Sequence, residues 1–231
     1  MSNLLELLAI IPARGGSKGI PRKNIKLLNG RPLIHYTIEA ALESKCVQDI
    51  IVSTDDEEIA AVSKATGINI PYLRPGHLAT DVSKTIDVIQ YEINLFEDKN
   101  NCVVQNVILL QPTSPLRNSF DIDQAYSIYK EKKADSLQSV TTASVHPYLL
   151  RKIEEGLLVP FMNGFEDNLR RQDVSTAYQL NGAIYIFRRE LLNTNSTLIG
   201  TKNYPYIMPP NRSIDIDDIM DFKFAEALLN N

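Results

Sequence analysis

The chain has 231 residues, 44% of them hydrophobic and 23% charged, an ordinary globular composition with enough length for one substantial core. Its net charge of −4 argues against a broad nucleic-acid-binding surface, and no apolar run reaches the roughly 18 residues that would predict a membrane span. Cys46 and Cys102 lack metal-ligand spacing, so neither a disulfide scaffold nor a zinc site is expected.

Strands and helices alternate through about the first 140 residues. Short apolar runs rich in β-branched residues predict buried strands at residues 4–12, 49–54, 106–111 and 182–187. Helical periodicity predicts helices at residues 32–44, 57–65, 84–96, 119–132 and 219–229. The alternation predicts an open, mainly parallel α/β sheet with helices on both faces, whose ligands bind beyond the carboxyl ends of the strands. Because no basic leader precedes the first strand, we expect a cytoplasmic protein.

The alternation breaks down between about residues 144 and 176, where Gly156, Pro160 and Gly164 interrupt an irregular polar and apolar pattern. This pattern predicts a β-rich segment inserted into the single domain that spans residues 1–231. The insert suits either a lid or a dimerisation arm.

The first strand leads into ARGGSKGIPRKN, which we call the first loop (residues 13–24). Its glycines are Gly15, Gly16 and Gly19. They allow the backbone to turn sharply and to approach a ligand closely. Its interleaved cations are Arg14, Lys18, Arg22 and Lys23. Backbone N–H groups and cations together suit a polyphosphate, although the spacing matches neither the P-loop nor the dinucleotide fingerprint.

Near the end of the chain, RSIDIDDIMDF alternates isoleucines with carboxylates. In an extended segment Asp215 and Asp217 share one face, about 7 Å apart at Cα, and can hold Mg²⁺ together with substrate phosphates. A solvated strand face is the alternative interpretation. Asp218 directly precedes the last helix and is predicted to be its N-cap.

Three further segments carry polar side chains. The loop after the strand at residues 106–111 is predicted to display groups suited to a polyhydroxylated ligand, namely Gln111, Thr113, Ser114 and Arg117. Arg170 and Arg171 are candidates for a bidentate pair with a substrate carboxylate, with a surface salt bridge as the alternative. The STDD segment ending at Asp56 has the form of ordinary helix capping.

Taken together and in order, IPARGGSKGIPRKNI, STDD, LQPTSPLR, NGAIYI and SIDID resemble the N-acylneuraminate cytidylyltransferases. The resemblance covers nearly the whole chain. It implies a Rossmann-like fold of the nucleotidyltransferase type and a homodimer built partly through the inserted segment. It also implies Mg²⁺-dependent transfer of CMP from CTP to the anomeric hydroxyl of an acidic nine-carbon sugar, with release of pyrophosphate.

The resemblance also assigns site residues. The nucleotide contacts that it implies are Arg14, Gly15, Ser17, Lys23, Asn24, Arg74, Ser83 and Thr85, with Arg14 and Lys23 facing the phosphates. The implied sugar contacts are Gln111, Thr113, Ser114, Arg171, Asn181 and Tyr185. Asp215 and Asp217 are the implied magnesium ligands. After the His146–Pro147 pair some relatives place a lysine where this chain has Tyr148 and Leu149, and Arg151 or Lys152 is the candidate to replace that lysine.

Several alternatives stay open at this point. The related cytidylyltransferases for an eight-carbon sugar acid share the opening IPAR, but their loop typically reads PGK where this chain has PRKN. Asp215-Ile216-Asp217 also spells the DxD motif of metal-dependent glycosyltransferases, and a nucleotide-binding module without catalysis is the third class. Within the resembled family the acceptor is N-acetylneuraminate, legionaminate or pseudaminate. A metal-bound hydroxide, an aspartate or water can each serve as the base.

Overall fold

A computed structural model describes residues 3–17, 19–162, 175–194 and 197–230. The strands of the described residues are β1 (Asn3–Pro12), β2 (Leu27–Leu28), β3 (Arg31–Pro32), β4 (Asp49–Ser53), β5 (Cys102–Leu109), β6 (Ser136–Thr142), β7 (Arg151–Glu154), β8 (Leu157–Pro160), β9 (Tyr178–Arg188) and β10 (Asn203–Ile207). The α-helices are α1 (Leu33–Glu43), α2 (Glu57–Lys64), α3 (Thr85–Asn100), α4 (Ser119–Glu131), α5 (Glu190–Thr194) and α6 (Ile219–Leu229). Short 3₁₀ helices lie at Lys23–Ile25, Gly76–Leu78, Pro147–Leu149 and Pro210–Arg212.

Within the described residues, six strands form one mixed sheet in the order β10-β6-β9-β5-β1-β4. β1 pairs in parallel with β4 and β5, and β6 pairs in parallel with β10. β9 runs antiparallel to both of its neighbours, β5 and β6. The predicted mainly parallel α/β sheet is therefore confirmed, with one reversed strand that enters from the inserted segment rather than from a crossover helix.

Alternate residues of β1 supply the cores on the two faces of the sheet. Leu7, Ala9 and Ile11 pack in a cluster with residues of α1, α2 and α4. Leu8 and Ile10 pack on the opposite face with residues of α3 and α5. A third cluster joins Ile20 of the first loop to Ile216 and to residues of α6. This last cluster holds the two chain-distant segments with predicted phosphate and metal ligands against each other.

Most predicted bounds agree with the observed ones to within two residues. The exceptions are α3, which ends four residues later at Asn100, and β5 and β9, which begin four residues earlier at Cys102 and Tyr178. The prediction for residues 4–12, 49–54, 106–111 and 182–187 is confirmed by β1, β4, β5 and β9. β6, β10 and the small β2–β3 hairpin were not predicted. β10 contains Pro205, which lacks a backbone donor and is tolerated because β10 is an edge strand.

The inserted segment contains a two-stranded antiparallel sheet of β7 and β8 within the part that the structure describes. It is confirmed as β-rich over that part. Arg170 and Arg171 lie outside the described residues. The structure therefore gives no position for the arginine that is predicted to pair with the substrate carboxylate.

Candidate active site

The first loop leaves the carboxyl end of β1 and returns through Arg22, which adopts a left-handed backbone conformation with φ 54°. Near its start, the Gly15 N–H donates to the Asp55 carboxylate over 3.0 Å. The side chain of Asn24 is buried and donates to the Arg14 carbonyl over 3.0 Å. Asn24 therefore closes the loop on itself, with its amide directed to the backbone.

A cavity of about 320 Å³ lies between the first loop and the loop after β5. We call it the central cavity, and its walls are Pro12, Arg14, Ser17, Gly19, Lys23, Asn24, Gln111, Pro112, Thr113 and Asp217. The Lys23 ammonium donates to the Ile216 carbonyl over 2.6 Å and lies 4.0 Å from a carboxylate oxygen of Asp217. A fixed cation thus contacts an acidic segment in the wall of a space of ligand size.

Residues 214–217 form no strand, yet the isoleucines face the core as predicted. Asp217 is exposed at the mouth of the central cavity, whereas Asp215 is half-buried. Burial raises the pKa of the Asp215 carboxyl, a hydrogen bond from Thr113 lowers it, and the charge of Asp217 raises it again. Within the described residues one oxygen of Asp215, Oδ1, is buried with no hydrogen-bond donor.

The combination of an orphaned buried carboxylate oxygen and a second, exposed carboxylate fits a hard divalent cation. A cation would neutralise the charge that burial disfavours and would supply the missing partner of Oδ1. The described residues contain no group of three or more His, Cys, Asp or Glu side chains that could hold a metal ion, so the described ligands of such a cation would be Asp215 and Asp217.

Gly182 brings β9 close to both carboxylate and amide groups of the site. It has φ +72°, and a Cβ added there would lie 2.9 Å from Asp215 Oδ2 and 3.3 Å from Gln111 Oε1. Tyr185, also on β9, is half-buried, and its pKa is raised by burial and by the charge of Asp215. Gln111 and Asp215 therefore form one wall, which a side chain at position 182 would disrupt, and Tyr185 lies within reach of the Asp215 charge.

A second cavity of about 330 Å³ shares Pro12 and Arg14 with the central cavity. We call it the side cavity, and its other walls are Arg74, Leu78, Thr80, Asp81, Ser83, Thr85 and Val88. Arg74 is buried, and burial lowers its pKa while the neighbouring carboxylate of Asp55 raises it. Ser83 accepts from the Thr80 N–H and donates to the His77 carbonyl. The side cavity thus collects the predicted nucleotide contacts that lie outside the first loop.

Two polar residues that are expected near the sugar lie in the interior instead. Ser114 is fully buried and donates to the Asn181 carbonyl over 3.4 Å. Asn181 is also buried, and its amide accepts from Ser139 over 2.6 Å and donates to Ser213 over 2.9 Å. In this structure both side chains tie β9 to neighbouring segments.

The expectation that the loop after β5 displays Arg117 is wrong. Arg117 is 1% exposed and donates to the Ala183 carbonyl over 3.3 Å. Burial lowers its pKa to about 10. The loop folds back onto β9, so its arginine supports the strand beneath the site.

Comparison with known proteins decides the family. A family model described as cytidylyltransferase matches residues 8–228, which include both cavities and the acidic segment. The chain belongs to the cytidylyltransferase family.

Two curated relatives of this cytidylyltransferase agree with that assignment. The CMP-N,N'-diacetyllegionaminic acid synthase of Legionella pneumophila is 37% identical over 97% of this chain and 97% of the relative. The N-acylneuraminate cytidylyltransferase of Escherichia coli is 35% identical over 95% of this chain, which spans 51% of that longer relative.

The solved structure of CMP:2-keto-3-deoxy-manno-octonic acid synthetase in complex with CTP has the same fold. Its TM-score is 0.71 over 97% of this chain and 98% of that one, at 17% sequence identity. At that identity the likeness supports the fold of the cytidylyltransferase and nothing finer. Among the described residues, no helix has the length and hydropathy needed to cross a bilayer.

Sequence reasoning missed one ion pair that the fold creates between the cavities. Arg14 donates to the Asp81 carboxylate over 2.9 Å, so Asp81 meets a cation that was expected to face phosphates. The two residues are far apart in the chain, and nothing in the local sequence around Asp81 links it to the first loop. The hydrophobic pattern of the sequence does not reveal this pair either, because both side chains are partly exposed and neither belongs to the core.

Proposed function

We propose that this cytidylyltransferase transfers CMP from CTP to the anomeric hydroxyl of a nine-carbon 2-keto sugar acid of the N-acetylneuraminate and legionaminate type. The central cavity carries the proposal, because the cations Lys23 and Arg14 line it together with the polar side chains of Gln111 and Thr113 and the carboxylate of Asp217. The cations suit the triphosphate, and the polar side chains suit a hydroxylated acceptor. The names of the two curated relatives support this choice of acceptor.

The nucleoside part of CTP would occupy the side cavity. Arg74, Ser83 and Thr85 line this space, and Arg14 lies at its border with the central cavity. The triphosphate would then extend past Arg14 to Lys23, with Ser17 offering its hydroxyl group along the first loop, while the Gly15 N–H is bonded to Asp55. Such preorganised donors stabilise the charge that develops on the phosphates during transfer.

The reaction forms a bond between the anomeric oxygen of the sugar and the α-phosphorus of CTP. The bond from that phosphorus to the α–β bridging oxygen breaks, the electron pair leaves with pyrophosphate, and the anomeric hydroxyl loses its proton. Lys23 and Arg14 would offset the negative charge on the departing group. Gln111, Thr113 and Tyr185 would orient the sugar, and Arg171, outside the described residues, would pair with its carboxylate.

Asp215 and Asp217 would hold Mg²⁺, because Oδ1 of Asp215 is buried without a donor among the described residues. When bound, Mg²⁺ supplies positive charge that stabilises the phosphate oxygens. The hydrogen bond from Thr113 holds the Asp215 carboxylate in place before substrates arrive, and Lys23 lies 4.0 Å from the Asp217 carboxylate.

A panel of acceptors tests the proposed function. Pyrophosphate release would be followed with CTP and Mg²⁺ and with N-acetylneuraminate, N,N'-diacetyllegionaminate, pseudaminate or the eight-carbon acid in parallel. We expect the highest kcat/KM with one of the first two acids. Preference for pseudaminate or the eight-carbon acid would replace the proposed acceptor, and CTP binding without turnover on any acid would identify a non-catalytic module.

We also propose that the protein is a homodimer and that the β7–β8 hairpin contributes to the interface. Ile153 and Leu158 lie directly opposite each other in the hairpin and are 76% and 72% exposed. Leu157 and Phe161 add further exposed apolar surface. An isolated two-stranded hairpin is at best marginally stable in water, so a partner that covers this surface would stabilise it.

The hairpin variants Ile153→Asp and Leu158→Asp are expected to convert the dimer to a monomer, because each would bury an unpaired charge at the interface. Light scattering after size-exclusion chromatography measures the mass against 26.0 kDa for one chain. Phe120→Asp is the control, since Phe120 is 60% exposed and belongs to α4 instead of the hairpin. A wild-type monomer, or dimeric hairpin variants, would contradict this interface.

A further inference from the structure

The STDD segment joins β4 to α2, and helix capping accounts for only part of its contacts. Asp56 is the N-cap of α2 and accepts from the Ile59 N–H over 2.9 Å. Capping requires one carboxylate oxygen and no contact with any distant segment. Both Asp55 and Asp56, however, make contacts with the first loop, about forty residues earlier in the chain.

Asp55 has two partners, one in the first loop and one in the side cavity. Its Oδ1 accepts from the Gly15 N–H over 3.0 Å and lies 3.6 Å from a guanidinium nitrogen of Arg74. The Arg74 backbone is held as well, because its N–H donates to the Thr54 carbonyl over 2.7 Å. Arg74 has only 4% of its side chain exposed, so its contact with Asp55 is shielded from solvent. One carboxylate thus connects the first loop to the side cavity.

Asp56 holds the other end of the first loop. Both of its carboxylate oxygens accept from the Arg22 guanidinium in a fork, with Oδ1 at 3.0 Å from Nη2. This hydrogen bonding lowers the pKa of Asp56 and raises that of Arg22. Arg22 has φ 54°, an uncommon conformation for a residue with a side chain, and it directly precedes Lys23. The fork therefore holds a strained residue immediately before a cation of the central cavity.

The packing around Asp56 also constrains the start of the loop. A Cβ added at Gly15 would lie 2.7 Å from Asp56 Oδ2, so the loop backbone passes directly over this carboxylate. Gly15 touches Asp55 through its N–H and Asp56 through its Cα side. Two adjacent carboxylates thus contact both ends of the first loop and the arginine of the side cavity.

We propose that Asp55 and Asp56 are positioning residues that set the first loop and Arg74 in the geometry that CTP requires. Asp55 acts through Gly15 and Arg74, and Asp56 acts through Arg22 on Lys23. Neither carboxylate touches the substrate. The inference rests on the proposed use of CTP, but it does not depend on which sugar acid is the acceptor.

Asparagine variants separate positioning from capping. Asp56→Asn retains a good N-cap and loses one of the two charges that hold Arg22, the other being Glu58, which also accepts from the guanidinium. Asp55→Asn retains an acceptor for Gly15 and loses the charge beside Arg74. Glu57→Gln is the matched control, because Glu57 is exposed in the first turn of the same helix and has the same charge. Calorimetry would measure the Kd for CTP and for CMP, and thermal unfolding would give Tm.

We expect both asparagine variants to bind CTP about tenfold more weakly than the control does, with a Tm within a few degrees of the control's. Asp56→Asn is expected to weaken CTP more than CMP, because Lys23 faces the β- and γ-phosphates that CMP lacks. Asp55→Asn is expected to weaken both nucleotides, because Arg74 lies in the side cavity.

Unchanged Kd values in both variants would overturn the positioning role. If Tm decreased at the same time, the segment would only cap the helix and stabilise the fold. Wild-type protein that binds CTP but transfers CMP to no sugar acid would refute the proposed function and leave the positioning result intact. Wild-type protein that does not bind CTP would overturn both.

Discussion

Replacement of Asp215 or Asp217 by alanine is expected to lower kcat/KM for CMP transfer by about a hundredfold or more, the size of effect seen when a preorganised charge partner of a transition state is removed. Each variant would lose one of the two carboxylates that we propose hold Mg²⁺. Turnover measured against Mg²⁺ concentration would report the loss directly. Near-wild-type rates with an unchanged magnesium dependence would rule out the assignment.

Stability distinguishes this effect from simple misfolding. The folded pKa of Asp215 is raised, chiefly by burial, so the fold favours its protonated form. Its contribution to stability therefore decreases as the pH rises from the unfolded pKa through the folded pKa. At neutral pH the metal-free Asp215→Asn variant is expected to have an unchanged or higher Tm while it loses activity. A large decrease in Tm would contradict this account of Asp215.

Asp218→Asn is the control for both carboxylate variants. Asp218 is adjacent to Asp217, but its side chain accepts from the Met220 and Asp221 N–H groups as the N-cap of α6. Asparagine caps helices about as well as aspartate does, so this change removes one nearby charge and preserves the fold. We expect its kcat/KM to stay within a few-fold of the wild-type value.

Gly182→Ala is expected to reduce kcat/KM by about a hundredfold and to lower Tm by several degrees. The residue has φ +72°, which costs an alanine about 1 kcal/mol or more. The new methyl group would also meet Asp215 Oδ2 at 2.9 Å and Gln111 Oε1 at 3.3 Å, so the wall formed by these groups would have to shift. Shifts of about 1 Å at a reacting centre can cost two orders of magnitude in rate.

Gly30→Ala separates backbone strain from crowding in this experiment. Gly30 has φ +78° in the β2–β3 turn, and a Cβ there would meet no atom within 4 Å. It shares the strain of Gly182 but not the contacts, so we expect a similar loss of Tm and nearly wild-type kinetics. If Gly182→Ala behaved like Gly30→Ala in both measurements, close contact at Gly182 would have no role in the site.

Much of the fold follows from local sequence signals. The buried runs that became β1, β4 and β5 are continuous and apolar, and the helices between them have clear periodicity. β10 was missed because NYPYI is short and contains a proline, and β6 because SLQSVTT has mainly small and polar residues. Both strands owe their position to pairing with neighbours that are distant in the chain.

The site was predictable where a loop carries its own chemistry. Arg14, Ser17, Lys23 and Asn24 all line the central cavity, as does Asp217 from the opposite end of the chain. The structural roles of buried polar residues such as Asn181 were not predictable, because the sequence does not show whether an asparagine will be buried or exposed. The local sequence of STDD predicts helix capping, and Asp56 is indeed the N-cap of α2. The fork between Asp56 and Arg22 is not predictable in this way, because it forms only when the first loop packs against STDD in the folded protein.

The most direct test of the account is ³¹P NMR of the wild-type protein mixed with CTP, Mg²⁺ and N-acetylneuraminate or N,N'-diacetyllegionaminate. We expect the triphosphate signals to be replaced by one phosphodiester signal from a CMP-sugar and by pyrophosphate in equal amounts. Persistence of CTP with every nine-carbon acid, or release of inorganic phosphate without a phosphodiester product, would contradict transfer of CMP to the anomeric oxygen.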